Sequence, residues 1–165
     1  MRKTLHFVVV SLLVCMSPFA ARVAGGAQAG REAVHNRQGL DHFNEGFYQR
    51  LPKGQAREAD RVFDLAAAEF RNAIALNPGF TEAHRNLARL YYVRGQYAEA
   101  AAAYRNVTRL APRDVDAYVQ TALACTELSL FGEAVRQLEI AKTRTDDREA
   151  VRRLEGYIQK IRERR

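Results

Sequence analysis

The stretch GQYAEAAAAYRNVTRLAP, Gly95 to Pro112, decides how this chain is read. It opens on glycine, sets Tyr97 and Tyr104 two helical turns apart, fills the space with alanine and closes on proline. Alanine is the strongest intrinsic helix former, so 98–110 reads as a helix. Pro112 cannot continue it. Upstream, Ala83, Leu87, Ala88, Leu90 and Tyr91 fall near one face of a second helix over 83–94. Gly95 ends that helix, because glycine takes the left-handed backbone that other residues avoid. Two antiparallel helices follow, crossing at Ala100. A larger side chain there overpacks, at about 1–3 kcal/mol.

The same pattern recurs at a period of 34. Phe63, Tyr97 and Phe131 fall in line, as do Ala66, Ala100 and Ala134. Phe70, Tyr104 and Leu138 follow, then Ala73, Val107 and Ala141. Pro78 aligns with Pro112, Ala83 with Ala117, and His84 with Tyr118. Each column keeps its chemical character.

A helix-turn-helix pattern at this period resembles the tetratricopeptide repeat. The clearest copy is TEAHRNLARLYYVRGQYAEAAAAYRNVTRLAPRD, 81–114, with Leu87, Ala88, Tyr91, Ala100, Tyr104 and Pro112 in the family's positions. The copy 115–148 keeps Tyr118, Ala122, Phe131, Ala134 and Ala141, and departs at Thr121, Cys125 and Asp146. The first copy keeps its second half, ending AAAEFRNAIALNP (66–78). The resemblance implies an all-α fold: antiparallel hairpins stacked in a right-handed superhelix, about three repeats in a domain over 30–146. The hairpins are expected at about 32–80, 81–114 and 115–146.

A single hairpin cannot bury both faces, so the stack needs ends. Residues 147–165 are expected to cap it. Ala150, Val151, Leu154, Tyr157, Ile158 and Ile161 form one apolar stripe there, and Asp146 with Glu149 reads as its capping box. The first hairpin is irregular. Its first helix is expected over 32–50, with Leu40, Phe43, Phe47 and Leu51 on one side. LPKG (51–54) is the turn, and a helical stripe runs on from Gln55 for about twenty residues. Gly39 and Gly46 weaken the first helix by about 1 kcal/mol each if interior, and Gly46 is a candidate for the place where helices touch. Seven helices are expected.

The start of the chain reads differently. Arg2 and Lys3 precede Leu5 to Met16, which is apolar except at His6 and Ser11. That run is short of the roughly 20 residues of a membrane span, and Ala27-Gln28-Ala29 supplies a cleavage pattern. Residues 1–29 therefore read as a secretory signal peptide, which places the protein outside the cytoplasm, in a periplasm. The alternatives are a retained membrane anchor facing the periplasm and a lipoprotein signal at Cys15, although Leu13-Val14 before that cysteine is bulky. Cleavage removes Arg2, Lys3 and Arg22, taking the net charge from +7 to +4. That charge does not call for nucleic acid. One cysteine remains, Cys125, and one thiol cannot form an internal disulfide. It lies in a core column and reads as a small buried hydrophobe.

No constellation of catalytic residues stands out, so the chain is expected not to be an enzyme and to take no cofactor or metal. His35 and His42 are too far apart for an i, i+4 metal pair, and His84 occupies an aromatic column. An enzyme using Cys125 or the histidines is the rival reading. The resemblance implies a concave groove lined by the first helix of each hairpin, holding a peptide or helix of another protein. Its expected lining is Glu82, Arg85, Asn86, Arg89 and Tyr92 from the second hairpin, and Val119, Gln120 and Leu123 from the third. The first hairpin adds Phe43 and Phe47, as an apolar anchor pocket or as core. Arg85, Asn86, Arg89 and Gln120 partly resemble a clamp for carboxylates, which guanidinium forks bind bidentately. The implied role is a scaffold in an envelope assembly or secretion complex; self-association into a homo-oligomer is the alternative.

Overall fold

The computed structural model describes residues 30–164. Seven α-helices follow one another among them: α1 Arg31–Asn44, α2 Ala56–Leu76, α3 Thr81–Val93, α4 Tyr97–Leu110, α5 Val115–Glu127, α6 Phe131–Lys142 and α7 Arg148–Glu163. No strand occurs among the described residues. Each helix packs against the next, and α1 also touches α3. This is the expected stack of hairpins, in which neighbours supply most of the burial.

The repeated columns share their environments. Ala66, Ala100 and Ala134 are all fully buried where paired helices cross. Phe70, Tyr104 and Leu138 are buried beside them, as are Ala73, Val107 and Ala141. Phe63 is buried, whereas Tyr97 and Phe131 are only half-buried, so that column loosens along the stack. Pro78 and Pro112 lie in the exposed links after α2 and α4. His84 Nε2 lies 3.0 Å from the Pro78 carbonyl oxygen. One repeat later, the Tyr118 hydroxyl donates to the Pro112 carbonyl at 3.3 Å. An imidazole and a phenol thus tie the same link in successive copies, which explains the histidine in an aromatic column.

The first hairpin holds the main departures. α1 runs into a π-helical turn, Glu45–Arg50, and then a 3-10 turn, Leu51–Lys53. Gly54, at φ 71°, closes the link. Both glycines in this stretch are contact points. A Cβ on Gly39 would stand 2.6 Å from the Phe70 ring, and one on Gly46 would stand 2.5 Å from the Phe63 ring. The expectation for Gly46 holds, and Gly39 does the same work one heptad earlier. The absence of side chains lets α1 and the π-helical turn lie directly on two phenylalanine rings of α2. Leu51 turns outward with the tightened chain and is exposed.

The C-terminal cap needs one correction. Asp147, not Asp146, is the N-cap of α7, accepting from the Glu149 amide at 2.9 Å. Thr145 Oγ1 in turn accepts from the Asp147 amide, which holds Asp147 in the extended conformation a cap requires. Leu154, Ile158 and Ile161 of α7 are buried against α6 and its neighbours. Tyr157, expected in the same stripe, is 46% exposed.

Candidate functional site: the groove face

The inner face of the stack is built from α1, α3 and α5, with α7 at its end. Helical periodicity presents the residues between core positions to this face. At its centre Asn86 donates from Nδ2 to Asn36 Oδ1 at 2.9 Å, joining α3 to α1. Asn36 is buried, so the bond satisfies a polar group that would otherwise be costly. Arg85 pairs with Asp114. Asp114 also caps α5 by accepting from the Ala117 amide at 3.1 Å. One carboxylate therefore both starts a helix and neutralises a groove arginine.

Arg89 behaves differently. Its guanidinium lies 4.9 Å from the centre of the Phe43 ring. It is exposed and takes part in no ion pair among the described residues. A guanidinium over an aromatic face keeps its N–H edge available for an acceptor. Tyr104 lies close by. Burial pushes its phenol up to about 12, against the opposing pull of Arg89 and Arg85. The hydroxyl thus stays protonated and available as a donor. Tyr92 packs edge-on to Tyr97, their ring centres 5.2 Å apart, and burial raises its phenol too. Glu82 is exposed and Gln120 is half-buried.

Phe43 has to be withdrawn from the groove lining. It is 1% exposed, stacked on Phe47 with ring centres 5.6 Å apart and close to Phe63. Gly46 brings α2 so near that the Phe43 ring is enclosed, and Arg89 covers what remains. Phe47 is half-buried at the edge of this cluster. The N-terminal end of the groove is therefore closed core, not an anchor pocket.

The apolar opening is at the other end. Val119, Leu123 and Thr126 of α5 face Tyr157, Lys160, Ile161 and Arg164 across a cleft of about 150 Å³. Leu123 is 39% exposed there. Val119 and Leu123, expected in the groove lining, both line this cleft. Tyr157, Lys160 and Arg164 were not, because the stripe of α7 reads as wholly core in the sequence. Asn36 and Asp114 were also missed; their partners lie 50 and 29 residues away.

Other candidates are structural. His35 Nδ1 lies 2.6 Å from Glu69, bridging α1 and α2. Cys125 is fully buried, and burial pushes its thiol up although Arg105 opposes this. No His, Cys, Asp and Glu cluster suited to a metal occurs among the described residues. No described helix is long and apolar enough to cross a membrane. The signal peptide, anchor and Cys15 readings fall on residues 1–29, outside the described residues.

A chain of stacked helix pairs with a lined inner face defines an α-helical repeat scaffold. Residues 59–125 match the family model described as tetratricopeptide repeat. Among solved structures, the chain is similar to the TPR2B domain of the TPR2B-domain:pHsp70 complex of yeast Sti1, at 17% identity and a TM-score of 0.64. That match covers 82% of this chain and 98% of the other. The Arabidopsis OM64 TPR domain is 16% identical, with a TM-score of 0.61, covering 81% of this chain and 98% of that one. The first TPR of Spaghetti (RPAP3), bound to HSP90 peptide SRMEEVD, is 18% identical with a TM-score of 0.54. It covers 78% of this chain and 93% of that one. No curated protein matches the chain. Residues 59–125 thus match the tetratricopeptide repeat, and the described helices form the superhelical fold of the similar structures.

Proposed function

We propose that this protein is a non-enzymatic scaffold that holds a peptide or helix of a partner protein in its concave groove. The observation that carries this is Arg89: an unpaired guanidinium, propped on Phe43, on a face where the neighbouring Arg85 and Asn86 are already partnered. It offers a fork for one carboxylate of an incoming segment. The four-residue clamp contracts accordingly. Arg85 is held by Asp114 and Asn86 by Asn36. Two of the similar structures are described as complexes, one with pHsp70 and one with an HSP90 peptide, which supports a peptide-binding role for the same fold. The leader over 1–29 supports export, and with it a place in an envelope assembly or secretion complex.

The test is crosslinking in native envelopes. A photoreactive residue at position 82, exposed on α3 two turns before Arg89, is expected to trap a discrete partner, while the same residue at Ala102, exposed on α4, traps none. Equal capture at both positions, or none at 82, overturns the proposal. Arg89→Ala is expected to abolish copurification of that partner without lowering the melting temperature by more than a few degrees.

A further inference from the structure

A cleft opens between α5 and α7, and its chemistry defines what fits. Its walls are Val119, Ala122 and Leu123 on one side and Tyr157 and Ile161 on the other. Leu123 and Tyr157 are among the large apolar side chains left exposed. Two cations, Lys160 and Arg164, stand on the rim.

The charge around α7 is not balanced. Lys142 takes up Glu155 at 3.0 Å, and Glu139 lies 3.5 Å from both Lys142 and Arg162. Glu163 accepts from Gln159. These carboxylates are already engaged, Glu155 and Glu139 between α6 and α7 and Glu163 within α7. Lys160 and Arg164 have no acidic partner among the described residues. An apolar slot edged by two uncompensated cations matches an apolar side chain flanked by carboxylates. It repels a basic segment, which disfavours the chain's own leader with Arg2, Lys3 and Arg22 as the occupant.

We propose that the α5–α7 cleft seats one apolar side chain of an acidic partner segment, with Lys160 and Arg164 holding the flanking carboxylates. This rests on the groove reading and deepens it. Arg89 takes a carboxylate at the centre of the groove, and the cleft gives the segment its apolar anchor.

The experiment measures fluorescence anisotropy of a labelled acidic peptide with one central leucine, titrated with the full-length chain. Binding is expected to weaken about tenfold when the leucine is replaced by alanine, a loss of about 1.4 kcal/mol. It is expected to weaken at least as much in Lys160→Glu/Arg164→Glu, whose exposed positions spare the fold. Leu123→Ser reports on the wall of the cleft independently. Binding lost in Arg89→Ala but indifferent to the α7 charges and to the leucine overturns the cleft and leaves the groove reading standing. Binding that appears only after residues 1–29 are removed assigns the cleft to the leader and overturns the proposal. So does a dimer in sedimentation that the Leu123→Ser change dissolves. Absence of binding to the acidic peptide in every form also overturns it.

Discussion

Gly95 and Ser129 stand one repeat apart and hold the same left-handed backbone, at φ 71° and 58°. Each follows the last turn of a hairpin's first helix. In both links an amide reaches back five residues: Gln96 to the Tyr91 carbonyl at 2.9 Å, and Leu130 to Cys125 at 2.8 Å. The Gln55 amide does the same to Arg50 after Gly54. The turn is one geometry used three times, and the third copy makes it with a side chain that resists it.

Ser129→Gly is therefore expected to raise stability by about 1 kcal/mol, the cost an L-residue bears in this region. Gly95→Ala is expected to lower it by about 1–2 kcal/mol. Urea denaturation of the two variants checks both signs. A neutral Gly95→Ala would mean that the turn is not held as described.

Gly39 of α1 and Gly46 of the π-helical turn give the sharpest contrast with glycines elsewhere. Gly39→Ala and Gly46→Ala push a methyl into Phe70 and Phe63 and are expected to cost about 1–3 kcal/mol each. Gly156, inside α7, has nothing within 4 Å of a new Cβ. There the change to alanine is expected to gain about 1 kcal/mol through helix propensity. Thermal melts of the three variants order them.

Asp114 separates capping from charge. Asp114→Asn keeps a good N-cap for α5 and releases Arg85 from its ion pair. Stability is expected to hold while affinity for an acidic peptide rises several-fold. Asp114→Ala loses the cap as well, at about 1 kcal/mol. Peptide anisotropy and melting temperature, read together, distinguish the two effects.

Cys125 tests the core and, with it, the enzyme reading. The thiol is buried and its ionisation is shifted upward, above the ordinary thiol value. Labelling by a disulfide reagent in native protein is expected to be far slower than in urea. Raising the pH toward the ordinary thiol value is expected to accelerate it less than for a free thiol, since less thiolate forms. Stoichiometric labelling of native protein within minutes would contradict the packing around α5.

The repeat was legible in the sequence because alanine and aromatic columns report local packing at fixed spacing. Gly46 was legible as a contact because a glycine inside a helix needs a reason. The π-helical turn after Asn44 was not, since no residue type signals it; for Phe43 the sequence left groove and core both open, and it lies in the core. Arg85 with Asp114 and Asn86 with Asn36 escaped for a different reason. They join helices that meet only when hairpins stack, so no local pattern carries them. Asp147 displaced Asp146 by a single position because Thr145 orients the second aspartate and leaves the first in solvent.

α7 has two employments. Its inward residues Leu154, Ile158 and Ile161 seal the end of the stack, while Tyr157, Lys160 and Arg164 furnish one bank of the cleft. Loss of the final turn would take Arg164 from the bank and Ile161 from the seal together, leaving Leu154 and Ile158 to hold the end of the stack. The mouth of the cleft and the closure of the stack are thus tied to the same few residues.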